Sequence, residues 1–256
     1  MQVYRDPYTK LNMPTVIALG CFDGVHTAHA QVIGEAVAIA ERLGAVPCVW
    51  CFSEPPKNAF ARVPVPLITS IEEKTTLIRA LGVGVLVCPD FTPEIARVSA
   101  REFVTGMLCS LAGGVHLVSG ANYSFGARGE GNSAMLAELC AELGIGYTVV
   151  SDVTVDGVGV SSSEIRAAVA EGRCEFASRL LGRAFSAEFS AADGAYAADP
   201  RHLVPAEGEY DATVCDGEAR TRARVRVLRS GGRAVLCTDI PLASPVIRAE
   251  FGGDRI

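Results

Sequence analysis

The stretch Thr15-Val16-Ile17-Ala18-Leu19-Gly20-Cys21-Phe22-Asp23-Gly24-Val25-His26-Thr27-Ala28-His29 decides the fold. Its opening is a short apolar run ended by glycine, the pattern of a parallel strand buried on both faces. After a polar loop, apolar residues recur at Val32, Ile33, Ala36, Val37, Ala40 and Leu43 ahead of Gly44, a spacing that predicts a helix over 29–43 with a glycine C-cap. The helix start offers free backbone N–H groups and a dipole that favours an anion. Two of the chain's four histidines stand at this one turn. Three residues apart, His26 and His29 can both face one phosphate. The bland alternative is that one of them caps the helix and the other lies on the surface.

The same alternation continues outward. Strands are expected at 45–52, 83–88, 115–120 and 147–150, and helices at 72–81, 100–111, 134–143 and 163–171. Strands alternating with helices at this pitch imply an α/β fold, a Rossmann-like parallel sheet with helices on both faces. In such sheets ligands bind beyond the carboxyl ends of the strands. Past Gly182-Arg183 the pattern shifts to short alternating runs separated by Asp216-Gly217 and Ser230-Gly231-Gly232, which reads as a small C-terminal antiparallel β domain. The expected division is therefore 1–183 and 184–256.

Composition narrows the function. Of 256 residues, 49% are apolar and 20% charged, a globular balance, and the net charge of −6 argues against a nucleic-acid partner. Arg220, Arg222, Arg224 and Arg226 alternate as one face of a strand, most simply a solvated one. No apolar run is long enough to span a bilayer, and residues 1–6 lack the features of a signal peptide, so neither membrane nor export is expected. Nine scattered cysteines read as reduced, buried small hydrophobes of a cytoplasmic protein. Cys48 and Cys51 have metal-motif spacing, but residues three apart on a strand face opposite ways and cannot share an ion.

Two further stretches could carry chemistry. In Gly159-Val160-Ser161-Ser162-Ser163-Glu164-Ile165-Arg166, hydroxyls at a helix start can donate to phosphate, with Arg166 one turn on. The competing reading is an ordinary capping box from Ser161 to Glu164. Gly120-Ala121-Asn122-Tyr123-Ser124-Phe125-Gly126 puts aromatic faces and an amide in one loop, which suits a planar heterocycle or simply covers the core.

Taken together and in this order, these three motifs resemble the adenylyltransferase module of bacterial bifunctional riboflavin kinase/FAD synthetases. The resemblance covers 15 to about 183, including Leu67-Ile68-Thr69-Ser70, Glu73-Lys74 and Leu180-Leu181-Gly182-Arg183. It implies a nucleotidyltransferase that moves AMP from ATP to FMN, releasing pyrophosphate and forming FAD, with Mg²⁺ accompanying ATP. It further implies catalytic roles for His26, His29 and Arg166. Nucleotide contacts would come from Gly20, Phe22, Asp23, Gly24, Ser162 and Ser163 as well, and flavin contacts from Phe60, Asn122 and Phe125. No metal ligand is assigned, and the oligomeric state stays open.

The chain departs from the family in several places. Ala28 replaces a usual glycine, which is tolerable if φ there is negative. Phe52-Ser53-Glu54-Pro55-Pro56 lacks the family's histidine, and an expected acidic residue is replaced near Ala134. Asp193-Gly194-Ala195-Tyr196-Ala197-Ala198-Asp199-Pro200 stands where the kinase's Pro-Thr-Ala-Asn motif would be, so riboflavin phosphorylation is not expected and the tail reads as a shortened kinase-like remnant. Two alternatives remain: a non-catalytic flavin- or nucleotide-binding paralogue, and a related transferase with another phosphorylated acceptor.

Overall fold

The computed structural model describes residues 1–192 and 194–256, which leaves Asp193 outside the described residues. It contains two compact units, one of residues 1–64 and 71–153, the other of residues 65–70 and 154–256.

The first unit is built from β1 (Gln2–Tyr4), β2 (Thr15–Leu19), α1 (Thr27–Leu43), β3 (Val46–Trp50), α2 (Ile71–Ala80), β4 (Val85–Val87), α3 (Ala100–Glu102), β5 (Gly114–Gly120), α4 (Ser133–Leu143) and β6 (Gly146–Val150). The strands form one sheet in the order β1-β4-β3-β2-β5-β6, and every pair in it is parallel. Alternate residues feed two separate cores. Ile17, Leu19, Cys48 and Trp50 point into the layer with the 100–111 helix and α4, while Val16, Ala18, Val49 and Cys51 point into the layer with α1. Cys48 and Cys51 do face opposite ways, as the period of a strand requires. Cys51 instead meets Cys88 across the neighbouring strand, with the sulfurs 3.5 Å apart.

The chain runs from β2 outward to β3 and β4, then returns to place β5 on the other side of β2. That reversal opens a crevice at the carboxyl ends of β2 and β5. The loop into α1 and the 121–132 loop both leave from this point. Gly44 closes α1 at φ 63, and Gly144 closes α4 at φ 67, both in the left-handed region that glycine enters freely.

The expected helix over 100–111 has one α-helical turn, α3, and then continues as a π-helix, Phe103–Leu111. Bonding five residues back puts positions four and five apart on one side. Phe103, Val104, Met107 and Leu108 thereby all reach the core.

The second unit contains the hairpin β7 (Thr154–Val155) and β8 (Val158–Gly159), then α5 (Ser162–Ala170) and α6 (Cys174–Leu181). It continues with β9 (Phe185–Ala192), β10 (Ala195–Ala197), β11 (Gly208–Asp216), β12 (Ala219–Ser230), β13 (Arg233–Thr238) and β14 (Val246–Phe251). Strands β9 to β14 close into a six-stranded antiparallel barrel in the order β10-β13-β12-β11-β14-β9. The stretch that reads in sequence as a shortened remnant thus forms a closed barrel. Ile165, Ala168, Val169, Leu180 and Leu181 share one apolar cluster with Phe185, Phe189, Val225, Val227 and Phe251. This shared core is why α5 and α6 fall in the barrel's unit, ahead of the division expected at 183. Leu67 joins them through backbone bonds to Arg201 and Leu203.

On β12, Val225 and Val227 point inward and the arginines outward. Arg220, Arg224 and Arg226 pair across strands with Glu250, Asp211 and Glu209. The basic stripe is a solvated, charge-compensated face, worth little in stability. Among the described residues no helix is long and apolar enough to cross a membrane.

The barrel core sets a test. Phe251 is fully buried against Phe185 and Tyr210. Phe251→Ala is expected to destabilise by about 3–5 kcal/mol through lost burial and the cavity left behind. A denaturant titration followed by far-UV circular dichroism checks it.

Candidate active site

The loop between β2 and α1 is strained by design of its packing. Phe22 lies at φ 53, Gly24 at φ 85 and Val25 at φ 38. Left-handed backbone is unusual for any residue with a Cβ and a true outlier for a β-branched one. Here it is held because Phe22 and Val25 are both buried in the α1-side core. A Cβ at Gly20 would come within 2.9 Å of the Phe22 ring, which, fully buried, has little room to move. Asp23 and His26 are buried in the same turn. Ala28 lies within α1 and is not among the residues with positive φ, so a glycine is not required there.

His26 is the N-cap of α1, its Nδ1 accepting the backbone N–H of His29 at 3.2 Å. The two imidazoles stack with centroids 3.5 Å apart and planes 13° from parallel, and Phe22 meets His29 edge-on at 5.1 Å. Burial holds the His29 pKa well below its ordinary value, and the neighbouring His26 and Lys74 depress it further. At neutral pH His29 is therefore an uncharged ring. Its Nδ1 is buried with no hydrogen-bond partner among the described residues. The capping role weighed for one histidine is real, and it does not remove the other from the site.

Lys74, which has no site role among the sequence expectations, is 1% exposed. Its Nζ donates to the carbonyls of Cys21 at 3.4 Å, Phe52 at 3.0 Å and Ser53 at 3.0 Å. The ammonium thus ties the loop after β2 to the loop after β3. Burial works against its charge, but Cys51, Cys21, Cys88 and Asp23 outweigh that and raise its pKa.

Of the residues assigned to flavin, Phe60 is 65% exposed on the stretch after β3. Asn122 donates its side-chain N–H to Asp152 at 3.2 Å. Phe125 is buried, stacked on Tyr123 at 5.6 Å, and its ring packs where a Cβ on Gly131 would otherwise stand. Ser162, Ser163 and Arg166 lie on α5 in the second unit. Ser161 caps that helix, its Oγ accepting from the Glu164 N–H at 3.2 Å. Arg166 donates to the carbonyls of Pro66 at 2.7 Å and Ser162 at 3.2 Å. The structure thus gathers Gly20, Phe22, Asp23, Gly24, His26 and His29 in one turn, and sets the serine–arginine group on a separate helix start. Among the described residues no group of three or more His, Cys, Asp or Glu side chains could hold a metal.

A strand-to-helix turn of this kind is common to many folds, and comparison with known proteins gives the chain a family. The model for FAD synthetase matches residues 9–164, more than half of the chain. The chain belongs to the FAD synthetase family. A bifunctional riboflavin kinase/FMN adenylyltransferase from Listeria monocytogenes is 35% identical over 70% of this chain and 57% of its own. The protein of that name from Bacillus subtilis is 36% identical over 67% of this chain and 54% of its own. This FAD synthetase family member therefore spans little more than half the length of those two relatives. A second Listeria monocytogenes protein, named FAD synthetase, is 28% identical over 78% of this chain and 82% of its own. The crystal structure of a macrolide-efflux protein from Streptococcus pneumoniae matches with a TM-score of 0.86 over 99% of this chain and 90% of that one, at 22% identity. At that identity the likeness speaks to the fold.

The depressed pKa of His29 has a sign that can be checked. Below about pH 6.5 the unfolded chain takes up a proton here that the folded chain resists. Stability is thus full above that pH and falls as the pH drops toward the folded-state value. His116, also depressed by burial, acts in the same direction. His29→Asn is expected to flatten the fall in melting temperature between about pH 7 and pH 5, leaving the residual slope to His116 and other groups.

Proposed function

We propose that this protein is an FMN adenylyltransferase, joining the AMP part of ATP to FMN with release of pyrophosphate. The observation that carries the proposal is the buried, unpartnered Nδ1 of His29 at the N-terminus of α1, in a turn whose backbone is already fixed. A buried polar atom left unmet costs roughly 1–3 kcal/mol, and a phosphate group at this helix start is the kind of partner that removes the cost.

An oxygen of the FMN phosphate attacks the α-phosphorus of ATP in line. The new P–O bond forms as the bond to the β-phosphate oxygen breaks, and pyrophosphate leaves with that electron pair. A phosphate monoester has its second pKa near 6, so it is largely dianionic at pH 7 and no general base is needed. The site's task is positioning and stabilisation of charge on the transferring group. With His29 uncharged, its contribution is a directed hydrogen bond instead of a positive charge. His26 holds the helix start in shape through its Nδ1, which accepts the His29 N–H. Arg166 remains the proposed source of positive charge, Ser162 and Ser163 the proposed hydroxyl donors, and Gly20, Phe22, Asp23 and Gly24 the proposed phosphate turn. Phe60, Asn122 and Phe125 remain the proposed flavin-side residues, Asn122 after release from Asp152.

Mg²⁺ would enter with ATP, held by phosphate oxygens and water with at most one or two carboxylates, of which Asp23 is the nearest candidate in the turn. It would supply charge neutralisation on the triphosphate. Riboflavin phosphorylation is not part of the proposal, since the chain has no Pro-Thr-Ala-Asn motif. A cytoplasmic setting, where ATP and FMN are both present, fits these substrates.

Incubation with ATP, Mg²⁺ and either FMN or riboflavin, resolved by chromatography, tests the reading. FAD from FMN and no product from riboflavin is the expected result, with kcat about 10²- to 10³-fold lower in His29→Ala. FMN binding with no pyrophosphate released under any divalent metal would instead favour a non-catalytic flavin-binding protein. Turnover with a different phosphorylated acceptor would favour another transferase of the same superfamily.

A further inference from the structure

Trp50 is the chain's single tryptophan. It ends β3 at the carboxyl edge of the sheet, where the loops of the candidate site begin. Its side chain is 2% exposed, and its indole Nε1 is buried with no hydrogen-bond partner among the described residues. The rings around it are phenylalanines. Phe52 lies 5.0 Å away at 88° and Phe103 4.9 Å away at 85°. Ring faces are weak acceptors, so neither replaces a carbonyl for this N–H. The contacts continue outward, from Phe52 to Phe91 at 4.8 Å and from Phe91 to Phe60 at 6.0 Å. An edge-to-face series of rings therefore runs from an exposed phenylalanine to a buried indole whose one polar atom is unmet.

Two buried side-chain atoms among the described residues lack a partner, His29 Nδ1 and Trp50 Nε1. The first sits at an anion-binding helix start. The second sits in an aromatic wall, in the same unit and at the same end of the sheet. A ligand that meets both has an anionic group and a planar ring with carbonyl acceptors. We propose that Trp50 is a flavin-specificity residue, its indole N–H donating to a carbonyl oxygen of the isoalloxazine ring that enters along the Phe60–Phe91–Phe52 series. This inference rests on the flavin reading above. It requires Phe52 and Phe91, both half-buried, to give way to the incoming ring. It also assigns the choice of acceptor to a donor that a hydrophobic pocket alone would lack, since a site with a buried donor rejects ligands that cannot satisfy it.

A single tryptophan makes the test direct. In a ¹H–¹⁵N correlation spectrum of the unmodified protein, one indole signal is present, and adding FMN is expected to move it downfield as the N–H gains an acceptor. Trp50→Phe is expected to raise the FMN dissociation constant about 3- to 10-fold, the range of one net hydrogen bond, with ATP binding unchanged as evidence that the variant is folded. FMN binding seen by flavin fluorescence with a stationary indole signal would overturn the inference and leave the proposed function standing. No FMN binding while ATP binds would overturn the flavin reading itself, and this inference with it.

Discussion

The turn from Phe22 to Val25 is the constraint on which the candidate site depends. Three of its four residues occupy left-handed backbone, and two of those carry side chains that disfavour it. Isolated, such a turn would relax. What holds it is the burial of the Phe22 ring and the Val25 side chain in the core beside α1, while Lys74 grips the Cys21 carbonyl from the other side. Hydrophobic burial of one large side chain is worth roughly 1.5–3 kcal/mol, and a strained dihedral costs about 1–3, so the packing of the loop is just sufficient to keep it shaped before any ligand arrives. Pre-shaping matters because donors already in place need no rearrangement when charge develops on a transferring phosphoryl group.

The histidine pair shows how packing selects chemistry. Two imidazoles stacked at 3.5 Å beside a buried ammonium cannot both carry charge without mutual repulsion. The arrangement trades electrostatic strength for direction: one ring fixes the helix start, the other keeps an open nitrogen. Cationic help for a polyanion must then come from elsewhere, and the nearest ammonium, Lys74, is already committed to three carbonyls.

Much of the first unit was legible in the sequence because its signals are local. The runs Thr15–Leu19 and Gly114–Gly120 and the period of α1 each declare their element within a few residues. The strand-to-helix turn was legible by its pattern, its strain was not: phenylalanine and valine give no warning of positive φ. Lys74 left a signal that could have been used. Ile71, Lys74 and Ile78 recur at helical spacing, which puts a lysine on an apolar stripe and implies a buried ammonium with partners. The helix α6 left one too, in Cys174, Ala177, Leu180 and Leu181, but over only two turns. The unpartnered indole of Trp50 was beyond reach, since an unmet donor is defined by neighbours that tertiary packing alone assembles. Barrel closure was hidden for the same reason. It depends on β9 finding β14 across more than fifty residues, a register that no local alternation encodes.

The closed circle of β9 to β14 also bears on how the chain behaves when crowded. Every strand in it has a neighbour on both sides over part of its length, so another molecule could add a strand only along stretches paired on one side, such as Ala219–Arg224 of β12. The parallel sheet has no such protection by closure. Its β1 margin is only three residues long, too short a template for intermolecular pairing to propagate.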